Sequence, residues 1–576
     1  MPDITPDLVA QVASRLYNQL PGEHARLPEN TADSRCIAAT LFERAQQETS
    51  AIPGGAAAIG SIPGSGDALG LITRAFESIK SSSSPAAAAD PPAHDTLSSV
   101  NLAQTPSLNA HADGLVRQQT YIGSSQRYSD LKGFVSNIQS FQYVTGSNKN
   151  GATVDHFAAL LQASLPKNSK LGGQTSFNVT AIRSDFPILH QQVHGKPLVW
   201  FDNAATTQKP RQVIDALSRF YEHDNSNIHR GAHTLAARAT DAFEGARDKI
   251  RAYLNAGSSE EIIFVRGTTE GVNLVANAYG KRFLQPGDEI LLSVLEHHAN
   301  IVPWQIVAKE RGAVIRVIPV DDNGDINLTE YQRLLGPRTR LVGLVHANNS
   351  LGTVLPIEEM TQLAKRYGAH VLIDGAQSVA HLPVDVQALG IDFFVFSGHK
   401  IFGPTGIGAV YGRRELLEEL PPWQGGGNMI KDVTFEETVY SGVPARFEAG
   451  TPNVADAYGL GIALDYVTGI GLKAVADYEH RLLEYATEKL KSVNGLRLIG
   501  NPRNKVAVTS FVLRDKPVPE VGKYLDQHGI AVRAGHHCAQ PSLRRFGLEA
   551  TVRPSYSFYN TFEEIDRLVQ ALHHLH

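Results

Sequence analysis

From about Asn178 onward the chain alternates short runs of large apolar and β-branched residues with segments long enough for a helix. This rhythm is the signature of a mainly parallel sheet covered by helices. The clearest predicted strands are Ile262 to Val265, Ile290 to Val294, Val314 to Val320, Leu341 to His346, Val371 to Asp374, Phe393 to Phe396 and Gly408 to Tyr411. They predict one large α/β domain, 178–460 with its N-terminal arm. Beyond Leu460 the order changes to a long helix, Val506 to Leu513, a helix near Val521 to His528, Ile530 to Arg533, Val552 to Phe558 and a final helix. That pattern predicts a smaller α+β domain over 461–576. Thr561 and Glu564 form a capping box that starts the last helix just after the strand carrying Arg553.

The upstream segment, 1–177, has a different texture. Ser81 to Ser84, Pro85, Ala86 to Ala89 and Pro91-Pro92 offer almost no large apolar side chains, so this stretch reads as a linker in a largely disordered extension. Ile52-Pro53-Gly54 recurs as Ile62-Pro63-Gly64, an echo too short to specify packing. Two short helices are expected. In the first, Thr5 caps, Pro6 occupies the first turn, and Leu8, Val12, Leu16 and Leu20 form a stripe; the second covers Val154 to Leu165. Such stripes suit packing on the α/β body or docking on another protein.

With 576 residues, a net charge of −5 and acids and bases interspersed, the chain shows no electrostatic footprint for nucleic acid or an anionic membrane. The acidic start Met1-Pro2-Asp3 does not fit a signal peptide, and no stretch is long enough to span a bilayer. The two cysteines, Cys36 and Cys538, lie in dissimilar regions, so a disulfide framework is not expected and a cytoplasmic setting is.

In open α/β sheets ligands gather beyond the carboxyl ends of the strands, so polar residues directly after the apolar runs are the place to seek a site. Lys400 follows one run in Ser397-Gly398-His399-Lys400, where an amine can form a Schiff base with an aldehyde cofactor. Asp374 ends another and could hold a pyridinium nitrogen protonated, although a lone Asp there is also an ordinary helix cap. Gly267-Thr268-Thr269 opens a helix and aims N–H groups and hydroxyls at an anion such as phosphate. His297, in Glu296-His297-His298, suits stacking on a planar ring and proton movement near neutral pH. Gly535-His536-His537-Cys538 places a thiol on a loop of the smaller domain beside two histidines and Arg533. A zinc reading of His-His-Cys lacks the second ligand cluster that a closed site needs.

Leu295-Glu296-His297-His298-Ala299-Asn300, Asp374-Gly375-Ala376-Gln377, Ser397-Gly398-His399-Lys400 and Arg533-Ala534-Gly535-His536-His537-Cys538-Ala539 occur in that order. On these motifs the body from about Ile182 resembles the group II, SUF-type cysteine desulfurases, fold-type I enzymes that use pyridoxal 5'-phosphate. The resemblance implies Lys400 as the cofactor-binding lysine, Asp374 on the pyridine nitrogen, Gln377 on the ring hydroxyl and His297 stacked over the ring. It implies Thr269, Ser397 and His399 on the phosphate, and Arg553 with Asn349 on the substrate carboxylate. His229 and Arg230 would lie near the thiol loop, and Thr451 would reach the phosphate of the neighbouring subunit of a homodimer. L-Cysteine is then the substrate, Cys538 receives its sulfur as a persulfide, and a sulfur acceptor protein or small thiol takes it onward. Pro554 directly after Arg553 departs from the family pattern. The extension resembles the leaders of desulfurases packaged in encapsulin shells, which implies a shell protein as partner and an encapsulin nanocompartment as location.

Rival readings are a selenocysteine lyase, an aminotransferase-like or epimerase relative, and a non-catalytic cargo or scaffold of the same fold. Cys538 discriminates most sharply among the enzymes, because an aminotransferase or epimerase has no need for a thiol on a loop.

Overall fold

In the computed structural model, residues 177–228 and 233–575 are described. The expected helices after Thr5 and over Val154 to Leu165 lie outside them. Thr175–His576 forms one compact unit.

Its centre is a seven-stranded sheet of β1 (Ile262–Val265), β2 (Glu289–Ser293), β3 (Val314–Ile318), β4 (Thr339–Val345), β5 (His370–Asp374), β6 (Phe393–Ser397) and β7 (Gly408–Gly412). The spatial order is β1-β7-β6-β5-β4-β2-β3. The pairs from β3 through β6 are parallel, and β7 runs antiparallel to both its neighbours. All seven predicted strands are present to within two residues at each end.

The runs are apolar at consecutive positions because both faces of the sheet are covered. Along β1, Ile262 and Phe264 enter one core, while Ile263 and Val265 enter the other. Helices α1 (Arg211–His223) and α2 (Thr234–Tyr253) lie on the first side. The second side carries α3 (Thr268–Phe283) and α4 (Val302–Arg311). The edge strand β3 is the exception, with Val314 and Val317 exposed, since among the described residues nothing covers its outer face.

The long helix expected after Leu460 is two helices, α5 (Val454–Ile470) and α6 (Leu472–Lys491), bent by 75° at Gly471. Gly471 adopts φ +94°, which glycine reaches without steric cost. The expected division at 460 falls inside α5, which packs on α1 and α2. Among the described residues no single helix is long and apolar enough to cross a membrane.

The C-terminal part carries a four-stranded sheet of β8 (Leu496–Ile499), β9 (Ser510–Leu513), β10 (Arg533–Gly535) and β11 (Thr551–Arg553), ordered β8-β9-β11-β10. Three expectations change here. The run Val506 to Leu513 is strand only from Ser510, and Ile530 to Arg533 splits, with Ile530–Ala531 pairing to Val199–Trp200 instead. Val552 to Phe558 stops being strand at Arg553, where Pro554 supplies no N–H to continue the ladder. The helix α7 (Val518–Gln527) and the last helix α8 (Phe562–His573) match expectation, and the capping box of Thr561 and Glu564 is formed.

Candidate active site

Five strand ends converge on a cavity of about 530 Å³. It is lined by Thr268 and Thr269 after β1, His297 after β2, Asn349 after β4, Asp374 and Gln377 at and after β5, and Ser397, His399 and Lys400 at and after β6. Arg533, Cys538 and Arg553 enter from the small sheet. Twelve residues singled out in the sequence thus share one enclosure. Thr451 lines a separate cavity of about 380 Å³, and His229 and Arg230 lie outside the described residues.

The floor is made by tight packing of strand ends. Gly267 sits at φ +155°, and a Cβ there would stand 3.0 Å from the Ser397 hydroxyl. This close approach lets Ser397 Oγ accept the Thr268 N–H at 2.8 Å and pair with Thr268 Oγ1 at 2.9 Å. Three hydroxyls therefore cluster at the N-terminus of α3, where the helix dipole favours an anion. His399 bonds Thr206 Oγ1 at 3.2 Å through Nδ1, and burial holds its pKa at about 4, with Lys400 and Lys209 pushing the same way.

Asp374 is 2% exposed, and its Oδ1 accepts the Ala376 N–H at 2.9 Å. Burial raises its pKa, opposed by that hydrogen bond and by Lys400. Burial also lowers the pKa of Lys400, with Asp374 opposing. Each group is thus pressed toward its neutral form while each restrains the other. Burial, then Lys400, lowers His297 to about 3, so its ring is neutral at ordinary pH. A neutral ring suits stacking on a planar group and can still accept a proton, the two tasks expected of it from the sequence. Its Nδ1 accepts the Ala299 N–H at 3.0 Å, which fixes the ring's orientation.

Arg553 is fully buried. Its Nη1 donates to the Asn349 carbonyl at 3.0 Å, and its Nη2 donates to Asp202 Oδ1 at 2.8 Å. Asp202 Oδ2 lies 2.8 Å from Arg533 Nη2, so one carboxylate bridges two guanidinium groups that face each other across β10 and β11. Burial holds Arg553 down at about 10 despite Asp202. Pro554, which ends β11, still accepts the Thr509 N–H at 3.0 Å through its carbonyl.

Cys538 is exposed and unpaired, and it lies between β10 and β11 on a loop leading into the short helix Gln540–Arg545. His537 and Cys538 both adopt left-handed φ, +56° and +53°. Such conformations cost about 1–3 kcal/mol each and persist where surroundings over-determine them.

The residues fit pyridoxal phosphate. A lysine and a buried carboxylate face the same space as a neutral imidazole, and a hydroxyl-rich helix start can receive the phosphate. Three buried polar atoms on the lining lack partners: Asn349 Oδ1, His537 Nδ1 and Arg553 Nε. Orphans of this kind mark a place built for a polar guest. Sequence reasoning gave no role to Asp202, although it follows the apolar run Leu198 to Phe201 and obeys the same strand-end rule. Lys209 was also missed. Its Nζ donates to the Thr207 carbonyl at 2.6 Å and lies 3.4 Å from the His399 carbonyl, and only the folded loop brings it there.

Residues 199–568 match the aminotransferase class-V family. A probable cysteine desulfurase of Mycolicibacterium paratuberculosis is 63% identical over 396 residues, 69% of this chain, and the match spans only 58% of that longer protein. A cysteine desulfurase of Synechococcus elongatus is 55% identical over 484 residues, 84% of this chain and 76% of that protein. This match is longer than the Thr175–His576 unit and so reaches into the upstream segment. Among solved structures, the cysteine desulfurase CsdA of Escherichia coli superposes with a TM-score of 0.64 at 38% identity, covering 69% of this chain and 98% of its own. By the family match over most of its body, and by the fold it shares with a solved desulfurase, the chain belongs to the aminotransferase class-V family.

Proposed function

We propose that the protein is a pyridoxal-phosphate-dependent cysteine desulfurase of the group II, SUF-type subgroup, converting L-cysteine to L-alanine and a persulfide on Cys538. The observation that carries this reading is the sharing of one cavity by Lys400, Arg553 and the thiol of Cys538. The lysine and its carboxylate partner suit many reactions of this cofactor; the thiol selects sulfur transfer.

Bound in the cavity, pyridoxal phosphate supplies an aldehyde for the Lys400 amine and a ring that draws electrons from the substrate's α-carbon. Asp374 would hold the ring nitrogen, Gln377 the ring hydroxyl, and His297 one face of the ring. Thr268, Thr269, Ser397 and His399 would hold the phosphate. Arg553 offers its free Nε–H to the α-carboxylate, with Asn349 and Arg533 beside it. Lys400, with its lowered pKa, takes the α-proton. The Cys538 thiolate attacks the substrate sulfur, forming an S–S bond as the C–S bond breaks. The carbon skeleton leaves as alanine after protonation.

By resemblance the enzyme is a homodimer in which Thr451 completes the neighbouring subunit's phosphate site. The persulfide passes to an acceptor protein or small thiol in the cytoplasm. The upstream segment directs packaging in an encapsulin shell. Support for a conserved task of that segment comes from the 484-residue match, which includes part of it.

Two variants test the chemistry. Cys538→Ala is expected to keep the yellow cofactor absorbance and lose alanine production from cysteine, whereas Lys400→Ala loses both. Undiminished turnover by Cys538→Ala would sink the persulfide reading. A chain beginning near Asn178 is expected to remain active but no longer co-purify with a shell assembly; co-purification retained after truncation would refute the packaging role.

A further inference from the structure

The loop that carries Cys538 is held by both of its peptide groups. The Cys538 N–H donates to Nδ1 of His536 at 3.0 Å, and the Cys538 carbonyl accepts the His298 N–H at 2.9 Å. The two histidine rings stack, with centroids 5.9 Å apart and planes 27° from parallel. His298 Nε2 in turn receives the Gln540 N–H at 3.4 Å, and Asn349 Nδ2 donates to the His537 carbonyl at 2.7 Å. The clasp therefore joins the end of β2 to the loop after β10, two parts of the chain some 240 positions apart.

These contacts surround an unfavoured backbone. Gly535 has φ +146°, and the next two residues with positive φ, His537 and Cys538, are not glycine. A free loop with these residues would relax to negative φ and turn the thiol elsewhere. The His536 ring supplies the local counterweight: a side-chain acceptor bonded to the N–H two residues on, as an Asn side chain does in an Asx-turn. This requires Nδ1 of His536 to carry its lone pair, with the ring proton on Nε2. His298 takes the opposite tautomer, since its Nε2 is the acceptor.

We propose that His536, braced by His298, is the positioning residue for Cys538. It holds Cys538 in the left-handed conformation that presents the thiol to the cavity. It takes no part in cofactor or carboxylate binding. The inference rests on the reading of Cys538 as the residue that receives sulfur.

The test is steady-state turnover of L-cysteine by the full-length holoenzyme, with the cofactor absorbance and the mass of Cys538 after a single turnover as further readouts. Because His536 is exposed, its replacement leaves no hole in the core. In His536→Ala, kcat and the rate of Cys538 persulfide formation should fall on the order of 10²-fold, the loss expected when a reacting atom is displaced by about 1 Å. KM and cofactor absorbance should stay within about twofold of wild type, because the interactions that bind the substrate are untouched. His536→Asn restores an acceptor at the same place and should recover most of the lost rate. His298→Ala, which removes the stacking face but leaves the backbone bond, should show a smaller loss of the same kind. Wild-type kcat in His536→Ala would overturn the proposal. So would an Asn variant as slow as the Ala variant, or a loss in which KM and absorbance move along with kcat. Cys538→Ala run alongside separates the failures: wild-type turnover there removes the desulfurase reading itself. A dead Cys538→Ala beside an unimpaired His536→Ala removes only the positioning role.

Discussion

Glu296 stands one residue before His297, is fully buried, and accepts hydrogen bonds from the Ser293 hydroxyl, Asn300 Nδ2 and the Val345 N–H. Burial outweighs these three donors and pushes its pKa up to about 8. In the unfolded chain the same group loses its proton near 4.5. Between those values the folded state holds one proton more than the unfolded state, so this contribution to stability is complete at acid pH and is lost as pH rises toward 8. The slope is about 1.4 kcal/mol per pH unit for one proton. Glu296→Gln carries no titrating proton and is expected to flatten the fall of Tm between pH 5 and 8. Parallel Tm curves for the two proteins would show that Glu296 is ionised in the fold. At this scale the sequence revealed which residues would meet, but not their charge states. The motif around His297 does not show that burial first, then Lys400, His298 and Arg553, hold its ring neutral.

Among the elements, the strand ends were the most legible part of the molecule. Runs such as Phe393 to Phe396 are apolar on both faces, so their length and spacing disclose the sheet, and the rule that ligands sit beyond carboxyl ends then finds Lys400, Asp374 and Thr268. The smaller domain was less legible because its strands are short and set by partners distant in the chain. Ile530–Ala531 pairs with Val199–Trp200, some 330 residues away, a pairing no local pattern announces. The glycine after Asp374 shows how tightly a strand end is built. A Cβ on Gly375 would fall 1.9 Å from Cζ of Phe394, a fully buried ring with no room to retreat. Gly375→Ala is therefore expected to cost about 1–3 kcal/mol, as overpacking does, and to loosen cofactor binding through the displaced Asp374. Denaturant unfolding and retention of the cofactor absorbance measure both effects; wild-type values for the two would contradict this packing.

Across the whole molecule, the site exists only where the two sheets meet. The large sheet supplies the lysine, the buried carboxylate and the hydroxyl-rich helix start, while β10 and β11 bring the thiol loop and the buried arginine. Asp202 ties the halves together by bridging Arg533 and Arg553 from the segment before α1. Composition marked the boundary between this body and the upstream segment, because the serine, alanine and proline tracts lack the apolar side chains a core needs. It said nothing about how Cys538 reaches Lys400, which depends on a chain reversal of more than a hundred residues. The central claim, that these halves together move sulfur from cysteine to Cys538, is tested most directly by mass. Full-length holoenzyme given one equivalent of sulfur-labelled L-cysteine should release one equivalent of alanine, and the peptide containing Cys538 should gain one labelled sulfur atom that a thiol reductant removes. Alanine released with no sulfur on that peptide would contradict the account.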